Sequence, residues 1–127
     1  MNFTVAIIDN DEGIREAGQL LLECQGWTVQ GYASAEAFLR HFCAGEVPDC
    51  VILELHLPGI SGEALLAVLA ANAIPAVVLT AWPENLTADR AATLGVTRVL
   101  TKPVVGERLV ETLADIAERG CSAKLTR

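Results

Sequence analysis

Two kinds of stretch alternate along the chain. From Phe3 to Ile8 the residues are almost continuously apolar and the run stops at Asp9, the pattern of a strand covered on both faces. Gly13 to Cys24 instead repeats apolar residues at Ile14, Ala17, Leu21 and Leu22, a helical stripe that Gly26 closes. Trp27 to Tyr32 is rich in β-formers, and Ser34 stands at an N-cap position ahead of Ala37, Phe38 and Phe42 on one helical face. Val51 to Leu53 reads as a third strand, Pro58-Gly59 as a turn, and Ser61 as the cap of a helix over Gly62 to Ala71. A fourth strand (Pro75 to Leu79), a helix over Pro83 to Leu94 ended by Gly95, a fifth strand (Val96 to Thr101) and a last helix (Val104 to Glu118) complete the order. Five strands alternating with five helices predict an α/β fold, a doubly wound parallel sheet with helices on both faces.

Composition narrows the classes. The 127 residues suit a single domain over 1–127, and 52% hydrophobic with 20% charged residues excludes disorder and low-complexity repeats. A net charge of -7 argues against direct nucleic-acid contact by this segment, because phosphate binding needs clustered Lys and Arg. No apolar stretch reaches the ~18 residues of a membrane helix without a Pro, Gly or charge. The start, Met1 to Val5, lacks the basic and long apolar regions of a secretion signal. Cys24, Cys43, Cys50 and Cys121 form no C-x-x-C pair and no metal-like spacing with His41 or His56, which reads as four reduced thiols, mostly half-buried, in a cytoplasmic protein.

In a doubly wound sheet, ligands bind beyond the carboxyl ends of the strands, where the strand order reverses. That rule selects Asp9-Asn10-Asp11-Glu12 after strand 1, Glu54 after strand 3, Thr80-Ala81 after strand 4 and Lys102-Pro103 after strand 5. Carboxylates there can hold a hard divalent cation, a hydroxyl can donate to an anionic oxygen, and a lysine can neutralise phosphoryl charge.

The strings Val5-Ala6-Ile7-Ile8-Asp9-Asn10-Asp11-Glu12-Gly13-Ile14-Arg15, Val51-Ile52-Leu53-Glu54-Leu55-His56-Leu57-Pro58-Gly59-Ile60-Ser61-Gly62, Leu79-Thr80-Ala81 and Thr101-Lys102-Pro103 together resemble a response regulator receiver domain. The similarity covers about residues 4–118, and Ser34 to Leu39 resembles receivers joined to helix-turn-helix output domains. The resemblance implies a flavodoxin-like sheet of order 2-1-3-4-5 and a place in two-component phosphorelay signalling. It also implies a histidine kinase or an output domain as protein partner. In that family an acidic pair binds Mg²⁺, an aspartate after strand 3 accepts a phosphoryl group, and a Thr, an aromatic and a Lys-Pro pair with a cis bond read it out.

Thr80, Lys102 and Pro103 match that pattern, whereas three positions depart from it. The acidic pair aligns with Asp9 and Asn10, so one anion is replaced by an amide; the acceptor position holds Glu54; the aromatic switch position holds Val99. One extra carbon bond moves the carboxylate by ~1.5 Å, where ~1 Å of misplacement can lower a rate ~100-fold. The expectation is an atypical receiver, not an enzyme, that works by protein contacts. At most it holds a weak Mg²⁺ site made by Asp9, Asn10, Glu54 and the backbone carbonyl of His56, with Asp11 able to rescue the metal from a shifted loop. Glu54 either imitates a phosphorylated aspartate by reaching toward Thr80 and Lys102, or pairs with Lys102 as a static strut. The expected docking or homodimer face, formed by the fourth helix, strand 5 and the last helix, carries Trp82, Leu86, Arg90, Arg98, Val104, Val105 and Arg108. The imidazoles of His41 and His56 are expected at the surface. Three other readings stay open: a receiver still phosphorylated with Mg²⁺ by a kinase, a small haloacid-dehalogenase-like phosphatase using Asp9, and a binding module for a small anion.

Overall fold

Alternate residues of the strands face two separate apolar layers. Ala6, Ile8, Val51, Leu53, Ala76 and Val78 lie in one buried cluster, while Val5, Ile7, Cys50, Ile52, Val77 and Leu79 lie in the other. A strand buried on both faces has no room for the polar alternation of a half-solvated one, which is why these strands read as continuous apolar runs. The computed structural model describes residues 3–125, with side-chain surroundings up to residue 119. Residues 1 and 2, where the start of the chain was read for a secretion signal, and the thiol of Cys121 lie outside that description.

The elements run β1 (Thr4–Ile8), α1 (Glu12–Glu23), β2 (Thr28–Tyr32), α2 (Ala35–Cys43), β3 (Cys50–Leu53), α3 (Gly62–Ala71), β4 (Ala76–Thr80), a 3₁₀ turn (Pro83–Asn85), α4 (Ala88–Leu94), β5 (Arg98–Thr101) and α5 (Gly106–Leu125). The strands are parallel in the order β2-β1-β3-β4-β5, the doubly wound arrangement that the alternating pattern predicts. Leu22, Leu109, Leu113 and Ile116 place α1 and α5 on one face; Phe38, Leu65, Leu66 and Leu69 place α2 and α3 on the other. The order reverses between β1 and β3, whose following helices leave to opposite faces. Among the described residues, no helix is long and apolar enough to cross a membrane.

Four expectations need correction. The helix over Pro83 to Leu94 is two pieces: Leu86 turns out of helical geometry and buries itself at 6% exposure, and Thr87 then caps α4 by accepting from the Arg90 N–H at 3.1 Å. A core contact for Leu86 and a fresh cap outweigh one continuous helix. Val96 belongs to the close of α4, not to β5, because its N–H bonds the Ala91 carbonyl at 3.0 Å around left-handed Gly95. The last helix begins later than Val104, since the Val105 carbonyl accepts its first turn from Arg108 and Leu109, and it runs on past Glu118 to Leu125. Finally, the three described thiols are not half-buried: Cys24 and Cys43, at helix ends, are exposed, while Cys50 opens the central strand β3 and is fully buried.

Candidate functional site

Three residues carry the sheet's hydrogen-bond ladder one step beyond their strands, and this fixes where their side chains start. The Asp9 N–H bonds the Tyr32 carbonyl at 3.1 Å, the Glu54 N–H the Ile8 carbonyl at 3.2 Å, and the Lys102 N–H the Thr80 carbonyl at 2.8 Å. The side chains of Asp9, Glu54 and Lys102 meet just outside the strand ends, at the reversal between β1 and β3.

Lys102 is the centre of this cluster. Its Nζ donates to Asp9 Oδ2 at 2.8 Å and to Glu54 Oε1 at 3.0 Å. Asp9 is 3% and Glu54 4% exposed, so two carboxylates share one ammonium away from water. The remaining oxygens are also met by the chain itself: Asp9 Oδ1 accepts the Asp11 N–H at 2.9 Å, and Glu54 Oε2 accepts the His56 N–H at 3.2 Å. Burial taken alone lowers the Lys102 pKa, but hydrogen bonds and attraction from Asp9 and Glu54 outweigh it, and the net direction is above the ordinary lysine value.

The other predicted site residues are distributed unevenly around these three. Thr80 is fully buried, and its Oγ1 accepts the Trp82 N–H at 3.1 Å within its own loop. Asn10 is exposed and takes no part in the hydrogen bonds of the cluster. Asp11 is the N-cap of α1, its side chain accepting the Ile14 N–H at 3.1 Å. The His56 ring is exposed and stands edge-on to Trp82, centroids 5.2 Å apart. Val99 is half-buried against the α2–α3 layer, opposite Val78 of β4. The Lys102-Pro103 peptide bond is cis. Among the described residues, no group of three or more His, Cys, Asp or Glu side chains is arranged to hold a metal.

Two residues that shape the site carry little sequence signal of their own. Arg15 Nη1 donates to the Asp9 carbonyl at 2.8 Å, pinning the turn after β1. Its stem passes over Gly31 of β2, where a Cβ would come within 3.0 Å of Arg15 Cγ. Gly62 begins α3 against the end of β3; a Cβ there would stand 2.6 Å from Leu55 Cα and 2.7 Å from the Glu54 carbonyl oxygen. Glycine immediately after a helix cap was the available clue to such a close approach.

The predicted docking face is only partly free. Leu86 is in the core and drops out of it. Arg90 pairs with Glu63 of α3 and Arg98 with Asp115 of α5, both at 2.6 Å. Val104 is half-buried under α5, whereas Trp82 and Val105 are exposed at 51% and 69%. Val105 and Arg108, with Val99, Pro103 and Glu111, line an open groove of about 490 Å³ between β5 and α5.

With strand order, cluster and loops in place, the chain also matches the response regulator receiver domain over residues 5–114. It belongs to that family. Receiver domains are signalling modules of two-component systems that work with histidine kinases and output domains. This receiver is 37% identical over 103 residues to the transcriptional regulatory protein FixJ of Azorhizobium caulinodans, covering 78% of the chain and 47% of that protein. It is 39% identical over 119 residues to the sensory/regulatory protein RpfC of Xanthomonas campestris pv. campestris, covering 87% of the chain and 16% of that protein. The signal receiver domain of an HD domain-containing protein from Pseudomonas fluorescens Pf-5 superposes with a TM-score of 0.85 at 26% identity, covering 97% of this chain and 92% of that one. The receiver therefore spans about half, or less, of the length of the curated relatives named here.

Proposed function

We propose that this receiver signals without phosphoryl transfer, Glu54 serving as a fixed strut to Lys102 and the output passing through protein contacts. One observation carries the reading: the Lys102 ammonium bridges Glu54 and Asp9 in a buried cluster whose four carboxylate oxygens all face donors of the chain itself. Mg²⁺ demands octahedral oxygen ligands at ~2.0–2.1 Å and gives up its waters reluctantly. To bind here it must displace Lys102 and recruit Asn10, which adds no charge. These residues do not fit the ion. Of the two roles open to Glu54, the strut is favoured over imitation of a phosphoryl group, because its two oxygens accept from Lys102 and His56.

The kind of partner follows from the free part of the docking face. Exposed Val105 and Arg108 beside an open groove suit an output domain or a second copy of the chain.

Incubation with a small acyl phosphate and Mg²⁺, read by intact-mass spectrometry, tests this reading. The wild type should gain no phosphoryl mass, and the double variant Asn10→Asp/Glu54→Asp, which restores both missing features, should gain it. Stoichiometric, hydroxylamine-labile labelling of Glu54 in the wild type overturns the proposal.

A further inference from the structure

The contacts around Glu54 close on themselves. Glu54 Oε2 accepts the His56 N–H at 3.2 Å; the His56 ring meets Trp82 at 5.2 Å and 90°; the Trp82 N–H donates to Thr80 Oγ1 at 3.1 Å; the Thr80 carbonyl accepts the Lys102 N–H at 2.8 Å; and Lys102 Nζ returns to Glu54 Oε1 at 3.0 Å. This circuit joins the ends of β3, β4 and β5 through two loops, and its one side-chain contact near the surface is the aromatic pair. Trp82 is 51% exposed, so about half of a large aromatic residue is covered in this arrangement and would be uncovered if the contact opened. Val99 offers no comparable area.

We infer that the His56–Trp82 pair is a latch on the β4–α4 loop whose closure depends on the carboxylate at position 54, so that Trp82 is the residue that reads the buried cluster out to the surface. Closure needs the charge, the two acceptors and the reach of Glu54. It holds independently of whether that residue can be phosphorylated. Two properties make the circuit a switch element. A carboxylate presents an acceptor to each of two donors, the Lys102 ammonium and the His56 N–H, whereas a carboxamide presents one acceptor and one NH₂. Neutralising Glu54 as Gln must therefore break one link. Because the links run in a ring, breakage on either side of Glu54 reaches Trp82, through His56 or through Lys102 and Thr80. Coupling of this kind rests on an element with two arrangements, which is what the test examines.

Acrylamide quenching of Trp82 in a Trp27→Phe background, without Mg²⁺ or phosphodonor, reads the latch, with far-UV circular dichroism as the check on folding. His56→Ala should raise the quenching constant, by at most about twofold because half of the ring is already exposed. His56→Phe, which keeps a ring, should leave it near the parent value. Glu54→Gln should raise it comparably, and Glu54→Gln/His56→Ala should add nothing to His56→Ala alone. Glu54→Asp, which withdraws the acceptor by one carbon bond, gives the same reading if the Gln variant folds poorly. An unchanged Trp82 in the position-54 variants, or effects that multiply in the double variant, overturns the latch. Phosphoryl labelling of the wild type overturns the proposed function and leaves this result untouched.

Discussion

Replacing Lys102 by Met removes the one ammonium between Asp9 and Glu54 while keeping an apolar stem of similar length. If the cluster were an exposed ion pair, the loss would be about 0–1 kcal/mol. The exposures argue otherwise: 14% for the Lys102 side chain, 4% for that of Asp9 and 5% for that of Glu54. Removing one partner of a buried ionic cluster leaves uncompensated charge and destabilises by about 3–5 kcal/mol. Here two carboxylates are left facing each other, so the expected loss is at the upper part of that range. For a chain of this size, 1 kcal/mol moves Tm by about 4 °C, so a loss of about 4–5 kcal/mol puts the fall at roughly 16–20 °C. Urea unfolding followed by far-UV circular dichroism measures it, with an unchanged m-value as the check that the two end states are the same. Adding Glu54→Gln to Lys102→Met leaves a single carboxylate and should recover about 1–3 kcal/mol, the coupling expected of residues in direct contact. A loss below about 1 kcal/mol for Lys102→Met, or strict additivity in the pair, would refute the picture of a buried strut.

Two further outcomes follow from the same packing. Burial, reinforced by the charge of Asp49 and only partly offset by a hydrogen bond with the Val51 backbone, pushes the Cys50 thiol up to about 12 from an ordinary 9.0. The folded state thus holds this proton more tightly than the unfolded one; its contribution is fully present below pH 9 and is lost as the pH rises to about 12, a change on the order of 4 kcal/mol. Lys102, also shifted upward, acts in the same direction at higher pH, and Cys50→Ala should flatten the part of the alkaline stability curve that begins at pH 9. Gly62→Ala forces a methyl against Leu55 Cα and the Glu54 carbonyl; it should cost about 1–3 kcal/mol in chemical denaturation, whereas Gly26→Ala, whose added methyl meets nothing within 4 Å, strains only the left-handed backbone.

How much of this was legible beforehand depends on the range of the interaction. Strand order and layers follow from runs such as Val5 to Ile8 and Val51 to Leu53, since burial on both faces leaves a direct mark on sequence. The helix caps Ser34 and Ser61 were readable because a cap is a local bond, at 3.1 Å in each case. The break at Leu86 was not, because a core contact made across the fold overrode a continuous helical pattern. The meeting of Asp9, Glu54 and Lys102 was anticipated from the strand-end rule, but the detail that Lys102 satisfies both acids was not. Nor was the ring contact of His56 with Trp82, whose residues sit on separate loops and share no local pattern.

The Lys102 ammonium fills the place between the strand-end acids, and a Mg²⁺ titration followed by amide NMR tests this most directly. At roughly 50 mM Mg²⁺, a site with a Kd of about 1 mM would be nearly saturated. The amides of Asp9, Asn10, Glu54 and His56 should move no more than exposed amides elsewhere. Saturable shifts confined to those residues, with release of Lys102 from Glu54, would contradict it.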